Sequence, residues 1–135
     1  MDEIDERLIA LLREDSRTPN VQLAEEIGIT EGTVRARIKR LQEEGVIRSF
    51  TIRTATRNIK ALVEVQIEMN VHTSQIARQI MDMTAVEAVY EVAGAVDIIA
   101  VVDVMTMNEL NDVIEEIRSH GSIIATQTKM VLSEL

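Results

Sequence analysis

The stretch TVRARIKRL, residues 33–41, sets four cations (Arg35, Arg37, Lys39 and Arg40) into nine positions of a 135-residue chain whose formal net charge is −9. Clustered guanidinium and ammonium groups meet phosphates and base edges, which is the chemistry of duplex DNA recognition. The plainer reading of the same residues is a solvated basic face. A second candidate is Gly94-Ala95-Val96-Asp97. A glycine there allows a tight turn between strands that exposes N–H groups to a ligand carboxylate, and Asp97 can meet a ligand ammonium. Thr126 and Thr128, on an adjacent expected strand, would add hydroxyls. The plainer reading here is a hairpin loop.

Other chemistries are weakly represented. There is no cysteine, so no disulfide framework or thiolate metal site, as suits a reducing cytoplasm. His72 and His120 lie far apart, and no metal site is expected. Glu115-Glu116 reads as a solvated helix face, and neither a glycine-rich phosphate loop nor a nucleophile elbow is present. No catalytic residue and no cofactor are therefore expected. Phe50 and Tyr90 are the only aromatics, which argues against a base-stacking platform for single strands. The seven methionines read as gap-filling core.

The charge is unevenly distributed. Residues 61–135 hold 3 basic and 12 acidic side chains, whereas residues 30–60 hold 8 basic and 3 acidic. Residues 1–29 hold 3 basic and 8 acidic, so the positive charge is local to one segment. An apolar fraction of 46% with 27% charged is a globular balance. Apolar runs such as Ile98–Val102 are far short of the roughly 20 residues of a membrane span. The opening Met1-Asp2-Glu3 lacks the basic start of an export signal, so a soluble cytoplasmic protein without membrane partners is expected.

The basic stretch needs elements to position it, and the first half supplies helices. Asp2 can cap a helix whose Ile4, Leu8, Leu11 and Leu12 share one face, ending near Asp15. After the turn at Pro19, Asn20 can cap a short helix carrying Val21, Leu23, Ala24 and Ile27, which Gly28 stops. Thr30 can cap a third, with Val34, Ile38 and Leu41 inward, ended by Gly45. At 100° per residue Gly32, Ala36 and Lys39 lie opposite that apolar stripe, and Thr33, Arg35 and Arg40 on its flanks. Arg37 sits nearer the core edge. Small residues at the crest and cations beside it suit entry into a major groove about 12 Å wide. Residues 46–53 alternate β-branched or aromatic with polar side chains, which predicts a strand, offers Arg48 to the DNA backbone and suggests a winged helix-turn-helix.

The second half changes period. Val63, Val65, Ile67, Met69 and Val71 alternate with polar residues, predicting a strand over 63–71. A helix capped by Thr73 or Ser74 carries Ile76, Ile80 and Met83, and strands follow over 86–92 and 98–104. Thr106 and Glu109 form a capping-box signature for a helix with Leu110, Val113, Ile114 and Ile117 inward, which Gly121 ends. Residues 122–132 make the last strand. The order βαββαβ is a ferredoxin-like motif, giving an α+β chain: helix-turn-helix over 1–53, linker over 54–60, ferredoxin-like domain over 61–135.

Together these residues resemble the Lrp/AsnC (feast/famine) family of transcription regulators over the whole chain. The matching signatures are Ile4-Asp5 with Leu11-Leu12, Leu23-Ala24, Thr33-Val34, Arg37-Ile38, Arg40-Leu41, Gly45-Val46-Ile47, Gly94, Asp97 and the Thr126/Thr128 pair. The resemblance implies a sequence-specific regulator of amino-acid metabolism and a homodimer built through the C-terminal sheets, assembling to tetramers or octamers. It also implies an amino-acid effector bound near Gly94 and Asp97. Its DNA-binding set would be Thr30, Gly32, Thr33, Arg35, Ala36, Arg37, Lys39, Arg40 and Arg48. Two small domains are marginal alone, and open sheet edges need covering, which independently favours assembly. A regulator without an effector, or a small-molecule enzyme or oligomerisation module with an adaptor helical domain, stands as the alternative.

Overall fold

The computed structural model describes residues 1–55 and 58–135, which divide into two compact units, Met1–Thr54 and Ala55–Leu135. The first unit holds α1 (Glu3–Glu14), α2 (Asn20–Ile27) and α3 (Glu31–Glu43). Their buried side chains Leu8, Leu12, Leu23, Ala24, Val34 and Leu41 form one aliphatic core. Asp2 caps α1, as expected, and does so reciprocally: its carboxylate accepts from the Asp5 N–H while Asp5 accepts from the Asp2 N–H. Asn20 is not the cap of α2; Pro19 holds that position without a side-chain bond, and Asn20 is the first helical residue.

Gly28 ends α2 at φ +83° with its N–H on the Ala24 carbonyl. A Cβ there would meet nothing within 4 Å, so the requirement is the left-handed backbone alone. Gly28→Ala should therefore destabilise the helical unit by about 1–2 kcal/mol, read as a shifted urea midpoint with an unchanged slope.

Thr30 caps α3 by accepting from the Thr33 N–H, and past the helix the Ile47 N–H returns to the Leu41 carbonyl. That bond folds half-buried Ile47 onto the core. The strand expected over 46–53 is not formed among the described residues. The alternating pattern is there, with Val46, Phe50 and Ile52 exposed, but the sheet formed by the described residues, β2-β3-β1-β4, does not include it. A strand is stabilised by its neighbour, not by its own periodicity.

The second unit runs β1 (Ile59–Ile67), α4 (Thr73–Met81), β2 (Val86–Glu91), β3 (Ile98–Val104), α5 (Met107–Arg118) and β4 (Ile123–Met130). Every pairing is antiparallel, in the order β2-β3-β1-β4. Strand β1 starts four residues before the expected strand and ends at Ile67, so Ile59 and Lys60 belong to the sheet rather than to a linker. Residues 56 and 57 of that linker lie outside the described residues. Met69, expected inside the strand, is fully exposed in the turn beyond it.

Ala61, Val63, Val65 and Ile67 of β1 and Ile98, Ala100, Val102 and Val104 of β3 are buried with Ile76, Ala77 and Ile80 of α4 and Leu110, Val113 and Ile117 of α5. Both helices thus cover one face of the sheet. The other face carries half-buried Leu62, Ala88, Ile99 and Val101 in register, with exposed Tyr90 beside Ile99.

The caps in this unit differ from expectation in three places. His72, not Thr73 or Ser74, is the N-cap of α4. Thr106 caps α5, but Glu109 returns to the Met105 N–H, one residue before the cap, so the box is not reciprocal. Helix α5 ends at Arg118 with Ser119 as its cap, short of Gly121.

Candidate DNA-binding face and effector loop

The crest of α3 is built from the residues picked out by periodicity. Gly32, Thr33, Arg35, Ala36 and Lys39 are exposed, while Val34 and Leu41 anchor the opposite side in the core. The Thr30 and Thr33 hydroxyls meet at 2.8 Å across the first turn. Arg35 pairs with Glu31 and Lys39 with Glu43, each one helical turn away, with both cations more than two-thirds exposed. Such exposed pairs are worth little and exchange readily for phosphate. Arg48 is exposed in the segment after α3.

Arg37 and Arg40 lie on the other flank and are differently engaged. Arg37 Nη1 donates to Oδ1 and Oδ2 of Asp2 and to Oδ1 of Asp5, all at 2.8 Å. Arg40 Nη2 donates to Oδ2 of Asp5 at 2.6 Å, and its Nε lies 3.8 Å from Glu44. Asp5 is 1% exposed and is the one buried charged residue among those described. Burial pushes its carboxyl up, but the Arg37 hydrogen bond, the Asp2 N–H and the charges of Arg40 and Arg37 outweigh burial and hold it at about 2. The Asp5 N–H, then Arg37, lower Asp2, and the two carboxylates raise Arg37 further. Two of the four cations grouped as one DNA-binding set, Arg37 and Arg40, are thus paired with carboxylates at the start of α1.

Asp2 and Asp5 are the site residues that motif reading missed. The signal was present as acids three apart on α1 and arginines three apart on α3. Their 32 to 35 residues of separation hid the match.

In the second unit Gly94 adopts φ +139° with open space around its Cβ position, so the loop of Gly94, Ala95, Val96 and Asp97 needs glycine for its backbone. Asp97 closes the sheet there: its Oδ2 accepts from the Ile67 N–H at 2.9 Å, and its own N–H donates to the Val65 carbonyl at 2.9 Å. It also lines a shallow cleft with His72, Thr73, Ser74 and Glu91. Thr126 and Thr128 stand on β4 opposite Val65 and Val63, so β1 separates them from β3 and Asp97. The Thr126 hydroxyl accepts from Arg118 Nε at 2.9 Å. Within one chain the loop and the two threonines thus stand on opposite sides of β1.

Asp97→Ala should cost about 1–3 kcal/mol of stability with no ligand present, because the Ile67 N–H loses its acceptor. Calorimetry of the ligand-free protein checks this, and a midpoint equal to wild type would contradict it.

Residues 1–48 match the winged helix-turn-helix DNA-binding domain, and residues 60–135 match the Lrp/AsnC ligand binding domain. The chain belongs to the Lrp/AsnC family. Among relatives of this Lrp/AsnC protein, the HTH-type transcriptional regulator LysM of Sulfurisphaera tokodaii is 37% identical over 133 residues, 98% of this chain and 95% of LysM. AldR of Mycobacterium tuberculosis, also an HTH-type transcriptional regulator, is 31% identical over 142 residues, all of this chain and 79% of AldR. The crystal structure of MtbAldR superimposes with a TM-score of 0.89 at 29% identity, covering 100% of this chain and 93% of that one. These relatives are transcriptional regulators and not enzymes, which sets aside the enzymatic reading. No helix among the described residues is long and apolar enough to cross a membrane.

Proposed function

We propose that this Lrp/AsnC protein is a cytoplasmic, sequence-specific transcription regulator that reads duplex DNA with α3. The observation that carries the reading is the exposed crest of Gly32 and Ala36, flanked by Arg35 and Lys39 and entered through the Thr30 cap. Thr30 and Thr33 serve phosphate or sugar oxygens, Arg35 a base edge, and Lys39 and Arg48 phosphates. Arg37 and Arg40 hold the helix in place.

Two copies join through the sheet face that carries Leu62, Ile99, Val101 and Tyr90, and dimers assemble further into tetramers or octamers. That face is half-buried and apolar at its centre, as a surface awaiting a partner is. Dimerisation would set two recognition helices about 34 Å apart on a near-palindromic site.

The effector is an amino acid held at the loop of Gly94, Ala95, Val96 and Asp97, with Thr126 and Thr128 supplied across the assembly. The separation of these groups within one chain supports a site shared between copies. Binding should appear as salt-dependent fluorescence anisotropy of a duplex that the chain has selected from a randomised pool. No selected sequence would overturn the reading. For the effector, a thermal-shift panel of the twenty amino acids should give one clear rise. Ligand at about 100 times its dissociation constant stabilises the native state by roughly 2.7 kcal/mol. If none shifts the midpoint, regulation without an amino-acid effector takes its place.

A further inference from the structure

The cations on the two flanks of α3 are held by different kinds of partner. With Val34 at the inner midline, Arg35 and Lys39 fall on one side and Arg37 and Arg40 on the other. The first pair meets exposed glutamates on its own helix, while the second reaches 32 to 35 residues back to Asp2 and Asp5 at the start of α1. Both Asp5 oxygens are occupied, Oδ1 by Arg37 and Oδ2 by Arg40 and the Asp2 N–H. Asp2 in turn caps Asp5 and holds Arg37, which closes a ring of Asp2, Asp5 and Arg37, with Arg40 joined to it through Asp5. With Glu44 also beside Arg40, that flank carries no uncompensated positive charge.

A buried ion pair is a poor device for stability alone, since apolar residues of similar volume often do as well. Its distinctive effects are directional. Each arginine is hydrogen-bonded to a fixed carboxylate oxygen, which fixes the rotation of α3 about its axis. Each is also withdrawn from the pool of charges that could displace counter-ions along any stretch of DNA.

We propose that Asp5, assisted by Asp2, is a specificity-determining positioning residue of the DNA-binding face, which holds Arg37 and Arg40 as internal counter-ions so that sequence-independent phosphate attraction stays low while Arg35 and Lys39 are presented in register. This rests on the assignment of α3 as the DNA-reading helix. Free of the clasp, the two arginines strengthen binding to any duplex and loosen the aim of the helix. Specificity then falls from both sides.

The test uses the full chain, the duplex it selects from a randomised pool, and a scrambled duplex of the same length. Affinities are followed as salt is raised, and each variant's fold is confirmed by circular dichroism. Arg35→Ala is the control for the underlying reading: if it leaves the preference for the selected duplex intact, α3 is not the reading helix and that assignment fails first. Where the control behaves, Asp5→Asn should bind scrambled duplex several-fold more tightly and selected duplex more weakly. The ratio of the two should fall at least tenfold, and the log–log salt slope should steepen by about 0.9 per released arginine.

Arg40→Gln should leave the slope at its wild-type value, because Arg40 neutralises no phosphate. A ratio unchanged in Asp5→Asn, with both affinities moving in proportion, overturns the proposal, as does a shallower slope in Arg40→Gln. Should Asp5→Asn fail to fold, Asp2→Asn decides. Asp2 lies at the rim, 55% exposed, and holds the same Arg37 without supporting the core. A steeper slope and a lower ratio uphold the proposal, and no change in either refutes it.

Discussion

Removing the Arg35 guanidinium should lower affinity for the selected duplex by about 2–6 kcal/mol in a dimer, since each half-site loses a base contact worth about 1–3 kcal/mol. That is roughly a thirtyfold to twenty-thousandfold loss. The fold should be untouched, because the exposed Glu31 partner contributes little to helix stability. Lys39→Ala should behave differently. A flexible ammonium at a phosphate carries no sequence information, so selected and scrambled duplexes should weaken together and the salt slope should fall by about 0.9 per lost contact. The two variants are separated by comparing anisotropy titrations on both duplexes between about 50 and 200 mM salt, the range over which phosphate contacts weaken most visibly. Should Arg35→Ala keep the wild-type preference, base reading lies elsewhere.

Local sequence revealed some of the positions where a single residue dictates backbone or cap geometry. Asp2, Gly28, Thr30 and Thr106 act where their side chains or dihedrals predict, whereas Asn20, Thr73 and Ser74 do not cap their helices and Gly121 does not end α5. Strand β3 has its expected bounds, 98–104, since its alternate residues from Ile98 to Val104 are all buried under the two helices even though Asp103 breaks the apolar run.

Non-local partners were not legible. Apolar residues continue at every second position through Met69 and Val71, yet the ladder stops at Ile67, where Asp97 takes the N–H and the chain turns. Residues 46–53 have a strand's pattern but belong to no sheet among the described residues. The effector loop was visible as a loop, but the distance between Asp97 and the two threonines depends on sheet order, which periodicity does not encode. The Asp5 clasp was hidden for the same reason: its charges balance only once α1 and α3 are packed together.

That clasp carries the other large expected effect. Asp5→Ala should destabilise the helical unit by about 2–4 kcal/mol. This is below the 3–5 kcal/mol typical of breaking a fully buried pair, because Arg40, 45% exposed, can turn to water while Arg37, 21% exposed, is left more deeply stranded. The pH dependence has a definite sign. The Asp5 carboxyl is held near 2 in the folded chain against an ordinary 3.8, so the unfolded state takes up its proton first as the solution is acidified. The stabilisation is complete above about pH 4 and is lost as the pH falls towards 2. Asp2, lowered by the Asp5 N–H and by Arg37, adds to the loss in the same direction. The cations facing Asp5 are both guanidiniums, which are always charged in proteins, so the carboxylates set the window. Urea unfolding at successive pH values between 5 and 2 should show the wild-type midpoint falling more steeply than that of Asp5→Asn, which has no carboxylate to protonate. Parallel profiles would mean that Arg37 and Arg40 draw nothing from the Asp5 charge, and the clasp would then be a contact of shape without electrostatic consequence.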